Sequence, residues 1–207
     1  MQKPIYFKYG KKEIEFLKSR DPVLGEAIGR IGRIKREITP DLFTALINSI
    51  VGQQISSKAQ ATVWKRIEEK FNPITPEIIH SASPEELQSC GISMRKAEYI
   101  KNIAAVVLEG SLNLAELNDL SDDEVCKKLD DLKGIGVWTA EMLMIFSMQR
   151  KDILSYDDLA IQRGLRILYR HKAITPKLFE KYRKRYSPYA SIASLYLWHI
   201  SSEDKSK

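Results

Sequence analysis

The feature that most constrains this chain is a helix-start signal repeated along its length. Thr39-Pro40-Asp41 precedes LFTALINSIVG, and Ser56 or Ser57 precedes KAQATVWKRIEEKF. Thr75-Pro76-Glu77, Ser83-Pro84-Glu85-Glu86, Ser93, Ser121-Asp122-Asp123-Glu124, Thr175-Pro176 and Ser187-Pro188 each stand ahead of a further periodic run. A hydroxyl or carboxylate oxygen there accepts a first-turn N–H that has no partner inside the helix, and proline fits the first turn because it has no N–H to satisfy. Gly52, Gly91 and Gly110 supply stops. Alternating strands joined by Asn-Gly or Asp-Gly turns are absent, so no hairpin sheet is expected. The expectation is an all-α chain of roughly ten short helices, with Val137–Met148 and Leu159–Tyr169 among them. We read 1–207 as one domain of two helical lobes, with the first and last helices packed together in one lobe.

Composition narrows the function classes. Of 207 residues, 43% are apolar and 29% charged, enough for a core. Cys90 and Cys126 are the two cysteines, too few for a disulfide framework, a four-thiolate zinc site or a four-cysteine iron–sulfur cluster. No window has the apolar length of a membrane span, and the N-terminal stretch lacks the apolar core of a signal peptide. The expected setting is cytoplasmic, with reduced thiols and no membrane.

The net charge of +6 is unevenly placed. Residues 161–207 hold 11 basic and 3 acidic side chains, whereas residues 111–131 hold 2 and 7. Lys181, Arg183, Lys184 and Arg185 are interleaved with Tyr182, Tyr186 and Tyr189. A solvated helix face and a surface for a phosphate backbone both fit that run.

The strongest local signal is LKGIGVWTAEMLMIFSM, within a hairpin spanning 122–148. Gly134 and Gly136 sit between two helical runs, and glycine permits positive φ and close main-chain approach. A helix starting there turns N–H groups and its positive dipole end outward, which suits a phosphate. Leu132 and Ile135 would anchor the turn. A plain helix–turn–helix connection also fits. Past the second helix, Asp157-Asp158 opens another. Both can cap it; two adjacent caps are redundant, which leaves one carboxylate for other work.

Taken together, G134-I-G-V-W-T-A140 and D157-D-L-A-I161 resemble the helix-hairpin-helix DNA glycosylases, most closely their alkylation-repair branch, the 3-methyladenine DNA glycosylase II type. L46-I-N-S-I-V-G-Q-Q-I-S56, G91-I-S-M-R-K-A-E-Y-I100 and Y186-S-P-Y-A-S-I-A-S-L-Y-L-W198 also look like family segments, so the resemblance covers about 40–200.

The resemblance implies an active-site cleft between the lobes, with double-stranded DNA carrying an alkylated base as partner and a monomeric enzyme. It makes Asp158 the catalytic carboxylate, with Asp157 capping the helix. Trp138 and Trp198 correspond to base-pocket aromatics, with Met142 and His199 at positions where relatives have tyrosine. Gln53 and Gln54 fall in the wedge loop that fills the gap left by a flipped base, where Ser56 could add its own cap. Lys133, Gly134, Gly136 and Thr139 become phosphate contacts, with Arg95 and Lys96 in support. Ala190 stands where relatives often carry an arginine. The resemblance also implies that main-chain oxygens of the hairpin hold a structural monovalent cation; no cofactor or other metal is expected. Where bifunctional relatives place a nucleophilic lysine, this chain has Trp138, so hydrolysis without strand cleavage is expected. Each tryptophan and His199 also reads plainly as core or surface, and Trp64 reads as core. The alternatives are excision of oxidised or deaminated bases, an abasic-site lyase, and a non-enzymatic lesion-binding module.

Overall fold

The computed structural model describes residues 3–203. Among them are twelve α-helices, one short 3-10 turn over Glu116–Asp119, and one two-stranded antiparallel ladder that pairs β1 (Ile5–Tyr6) with β2 (Glu37–Ile38). The all-α expectation therefore holds. The ladder is not a hairpin; it joins segments thirty residues apart in sequence, which no local turn signal announces.

Two compact units account for the chain, one formed by 1–38 with 144–207 and the other by 39–143. In the first, α1 (Lys11–Arg20) and α2 (Pro22–Ile31) pack on each other, and α2 also meets α10 (Leu159–Tyr169) and α12 (Ala190–Glu203). The cap reading missed α1 and α2. Gly10 caps α1 without a side chain while Glu13 Oε2 accepts its N–H at 2.9 Å. Asp21 caps α2 through Leu24 N–H, and Pro22 follows it. The α10–α12 crossing is the tightest contact in this unit: a Cβ at Gly164 would overlap the Leu197 carbonyl. Ten of the fourteen residues of α12 are buried, and Ser194 Oγ donates to Ala190 O at 3.0 Å, so its hydroxyl is satisfied within the helix. The Ser187-Pro188 signal lies ahead of the observed start at Ala190. The reason is Asp152, whose carboxylate accepts Ala190 N–H at 3.2 Å and the Ser187 hydroxyl at 2.6 Å.

The basic run falls on α11 (Pro176–Tyr186) and is partly internal. Arg185 Nη1 is 2.7 Å from buried Asp21 Oδ2, which also accepts the Tyr169 hydroxyl at 2.7 Å. Tyr182 stacks on Tyr169 with centroids 4.4 Å apart. Glu180 takes Arg183 and Lys184. Carboxylates thus offset three of the four cations, and the run is less of a free anion surface than its spelling suggests.

In the second unit, α3 (Leu42–Gly52), α4 (Ser57–Lys70), α5 (Pro76–Ser81), α6 (Pro84–Gln88), α7 (Met94–Leu108) and α8 (Asp122–Asp130) begin where the caps place them. Asp41, Ser56, Thr75, Ser83, Ser93 and Ser121 each accept a first-turn N–H. Helix α9 covers Val137–Phe146, two residues shorter than expected. Trp64 is half-buried rather than enclosed in the core. No helix among the described residues is long and apolar enough to cross a membrane.

Candidate nucleic-acid interface and active-site residues

The turn between α8 and α9 is built as its glycines require. Gly134 has φ +89°, and a Cβ there would overlap the Tyr99 ring and lie 3.0 Å from Ile50 Cδ1. The turn is therefore pressed onto α7 and α3, where only a main chain fits. Leu132 and Ile135 are buried and anchor it, and Ile135 N–H donates to Leu132 O at 3.0 Å. Lys133 and Gly136 are exposed, Thr139 half-buried. The α9 helix then starts with Gly136 O accepting Ala140 N–H at 2.9 Å.

The loop expected to form the wedge follows α3. Gln53 Nε2 donates to Gly134 O at 2.6 Å, so this side chain holds the hairpin instead of projecting as a wedge. Its expected role as a wedge is corrected: an amide committed to a main-chain carbonyl is a poor intercalator. Gln54 is exposed and left-handed, with φ +58°. Ser56 caps α4. Lys96 is also reassigned. Its Nζ donates to Val51 O at 2.9 Å and Gln53 O at 2.6 Å, and burial lowers its pKa. Arg95, one residue earlier, is exposed and stands 5.8 Å from the Tyr99 ring centroid.

On α9, Trp138 is 46% exposed and Met142 is half-buried. Such an indole is not enclosed in the core.

In the other unit, Asp158 and not Asp157 is the N-cap of α10. Its Oδ1 accepts Ala160 and Ile161 N–H, both at 2.9 Å, and the residue is 6% exposed; Asp157 is exposed. The cap expected at Asp157 is therefore made by Asp158 instead, because the residue directly ahead of the first helical residue is the one whose oxygen reaches N2 and N3. The cap thus falls on the same side chain that the family resemblance singles out.

Trp198 is half-buried on α12 and packs on Phe146, centroids 5.4 Å apart. The Arg36 guanidinium covers the Phe146 ring at 4.9 Å. His199, one residue on, points elsewhere: it is exposed, with Nε2 3.6 Å from Glu203 Oε1, a carboxylate also held by Arg30 at 3.0 Å. A step of one helical residue turns about 100°, which separates the two side chains. The motifs gave no sign of Tyr99, Arg36 or Phe146. The spacing of Lys96 and Tyr99, three apart on one helix face, was the one available hint. No His, Cys, Asp or Glu cluster suited to a metal occurs among the described residues.

Comparison with known proteins identifies the family and the fold. Residues 47–188 match the family described as HhH-GPD superfamily base excision DNA repair protein. The chain is 36% identical over 164 residues to DNA-3-methyladenine glycosylase 1 of Schizosaccharomyces pombe, covering 77% of this chain and 72% of that one. It superposes on the crystal structure of a DNA-3-methyladenine glycosidase from Bacillus halodurans with TM-score 0.87 and 35% identity, over 98% and 95% of the two chains. It also superposes on a Schizosaccharomyces pombe 3-methyladenine DNA glycosylase in complex with abasic DNA, with TM-score 0.79 and 33% identity, over 91% and 95%.

Proposed function

The chain belongs to the HhH-GPD superfamily of base excision DNA repair proteins, and on that premise we propose that it is a monofunctional DNA glycosylase. Its substrates in this reading are 3-methyladenine and 7-methylguanine, excised from double-stranded DNA by base flipping. The observation that carries the reading is Asp158, a buried carboxylate fixed at a helix start by two main-chain N–H groups.

The C1′–N bond breaks with its electron pair leaving on the base. A base alkylated at N3 or N7 is already cationic and departs neutral, so no strong general acid is needed. The sugar left behind is oxocarbenium-like, and the Asp158 charge stabilises it. Water adds at C1′ and its proton passes through the carboxylate to solvent, leaving an abasic sugar. The indole face of Trp138 attracts a cationic purine by about 0.5–2 kcal/mol. Trp198 supplies a second aromatic surface, backed by Phe146. Trp138 also occupies the position of the lyase nucleophile, and an indole cannot form a Schiff base.

Lys133 and the hairpin N–H groups grip a phosphate, a contact that fixes register without reading sequence. A structural monovalent cation would be held by main-chain oxygens of residues 132–136. Three of these, Leu132 O, Gly134 O and Gly136 O, already accept hydrogen bonds, so a cation using them shares oxygens with Ile135 N–H, Gln53 Nε2 and Ala140 N–H. No step of the reaction passes through it. The protein acts as a cytoplasmic monomer in this reading.

The test is a base-release panel on methylated duplex DNA, with uracil and 8-oxoguanine duplexes alongside and borohydride trapping for a lyase. Release of 3-methyladenine and 7-methylguanine that disappears in Asp158→Asn is the expected result. No release by the wild type, or full release by the variant, would overturn it. A trapped adduct would move the chain to the lyase class.

A further inference from the structure

We infer that Lys96 and Gln53 form a latch that positions Gln54 as the wedge and ties it to the phosphate-gripping hairpin. The inference rests on the glycosylase reading above and names two positioning residues for it. Neither side chain is asked to touch DNA.

The last carbonyls of a helix have no intrahelical partners and carry its negative dipole end. At the end of α3, the Lys96 ammonium supplies both the partner and the counter-charge, bonding Val51 O and Gln53 O. The second bond matters more for function. Gln53 O belongs to the peptide unit that also contains Gln54 N, so Lys96 fixes the plane from which Gln54 departs. The Gln53 side chain fixes the same residue from the other side through Gly134 O. Gln54 itself holds a left-handed backbone, which is unfavourable for a non-glycine residue and persists only where its surroundings enforce it.

The base of the loop is clamped as well. Gln60 Nε2 bonds Asn48 Oδ1 at 2.9 Å, and a Cβ at Gly52 would lie 2.5 Å from that amide. Helix α7 supplies Lys96 for the loop and Tyr99 for the packing under Gly134. Loop and hairpin therefore share one support, and the spacing between phosphate grip and wedge is fixed before DNA arrives. Preorganisation of this kind matters because a displacement of about 1 Å can cost about a hundredfold in rate.

The test uses Lys96→Met and Gln53→Leu in the full chain. Single-turnover base release is measured on a methylated duplex and on the same strand unpaired, where no partner stack has to be refilled. The expected result is a fall of about tenfold in the duplex-to-single-strand rate ratio for each variant, with a matching loss of the fluorescence rise of 2-aminopurine placed beside the lesion. An equal fall on both substrates would mean general damage and would overturn the latch, as would an unchanged ratio. Should Lys96→Met fail to fold, Gln53→Leu decides by the same ratio. Absence of wild-type release from either strand state would overturn the enzymatic reading and the latch role with it.

Discussion

Gly164 of α10 lies against the main-chain carbonyl of Leu197 on α12, so close that a single methyl group would overlap it. The obstacle is backbone, which cannot swing aside as a side chain can. Gly164→Ala therefore forces the two helices apart. Overpacking of this kind costs about 1–3 kcal/mol. Denaturant unfolding should show a lower midpoint. Because Trp198 follows Leu197 directly, base release should fall too. An unchanged midpoint would mean that the crossing is looser than this packing implies.

Asp158 carries a cap and a proposed charge on one carboxylate, and two substitutions separate them. Asparagine caps about as well as aspartate, so Asp158→Asn should melt within about 0.5 kcal/mol of wild type. Its excision rate should fall by at least about a hundredfold. Asp158→Ala loses both functions and should also lose about 1 kcal/mol of stability. Thermal melts of both variants beside single-turnover release check the separation.

The two tryptophans should respond differently. Trp138 is 46% exposed, so Trp138→Ala should cost less stability than removal of Trp198 and should lower release of cationic bases by about tenfold, the scale of a cation–π contact. Trp198 packs on Phe146, so its removal should lower stability as well as activity. Equal stability losses in both variants would contradict the exposure of Trp138.

Glu13 gives a pH signature. Its carboxylate, held first by the Lys151 hydrogen bond at 2.6 Å and then by Gly10 N–H against the cost of burial, has its pKa lowered from 4.5 to about 2. A depressed carboxylate pKa contributes stability that is present above pH 4.5 and is lost as pH falls toward 2. Lys151 is 44% exposed, and solvent screening reduces the contribution to about 1 kcal/mol. Unfolding free energies measured from pH 6 to 2 should fall more steeply for wild type than for Glu13→Gln. Parallel curves would remove the pair from the stability account.

Much of this molecule is written in short-range chemistry. A serine or threonine oxygen reaches an N–H two or three residues on, so caps such as Ser93, Ser121 and Thr175 fix helix starts without knowledge of the fold. The two glycines and two anchors of the hairpin are equally local, and Trp138 in place of an amine is a fact of spelling. Tertiary structure decided what each polar side chain does. Gln53 and Gln54 are the same residue twice, yet one is turned onto Gly134 and the other outward. Lys96 reads as a surface cation until Val51 and Gln53 claim it, and the basic run of α11 reads as a free surface until Asp21 and Glu180 take three of its charges. The physical reason is range. Capping and turn geometry depend on neighbours a few residues away, whereas the partner of an amide or ammonium is whichever group the packing of distant segments brings within about 3 Å.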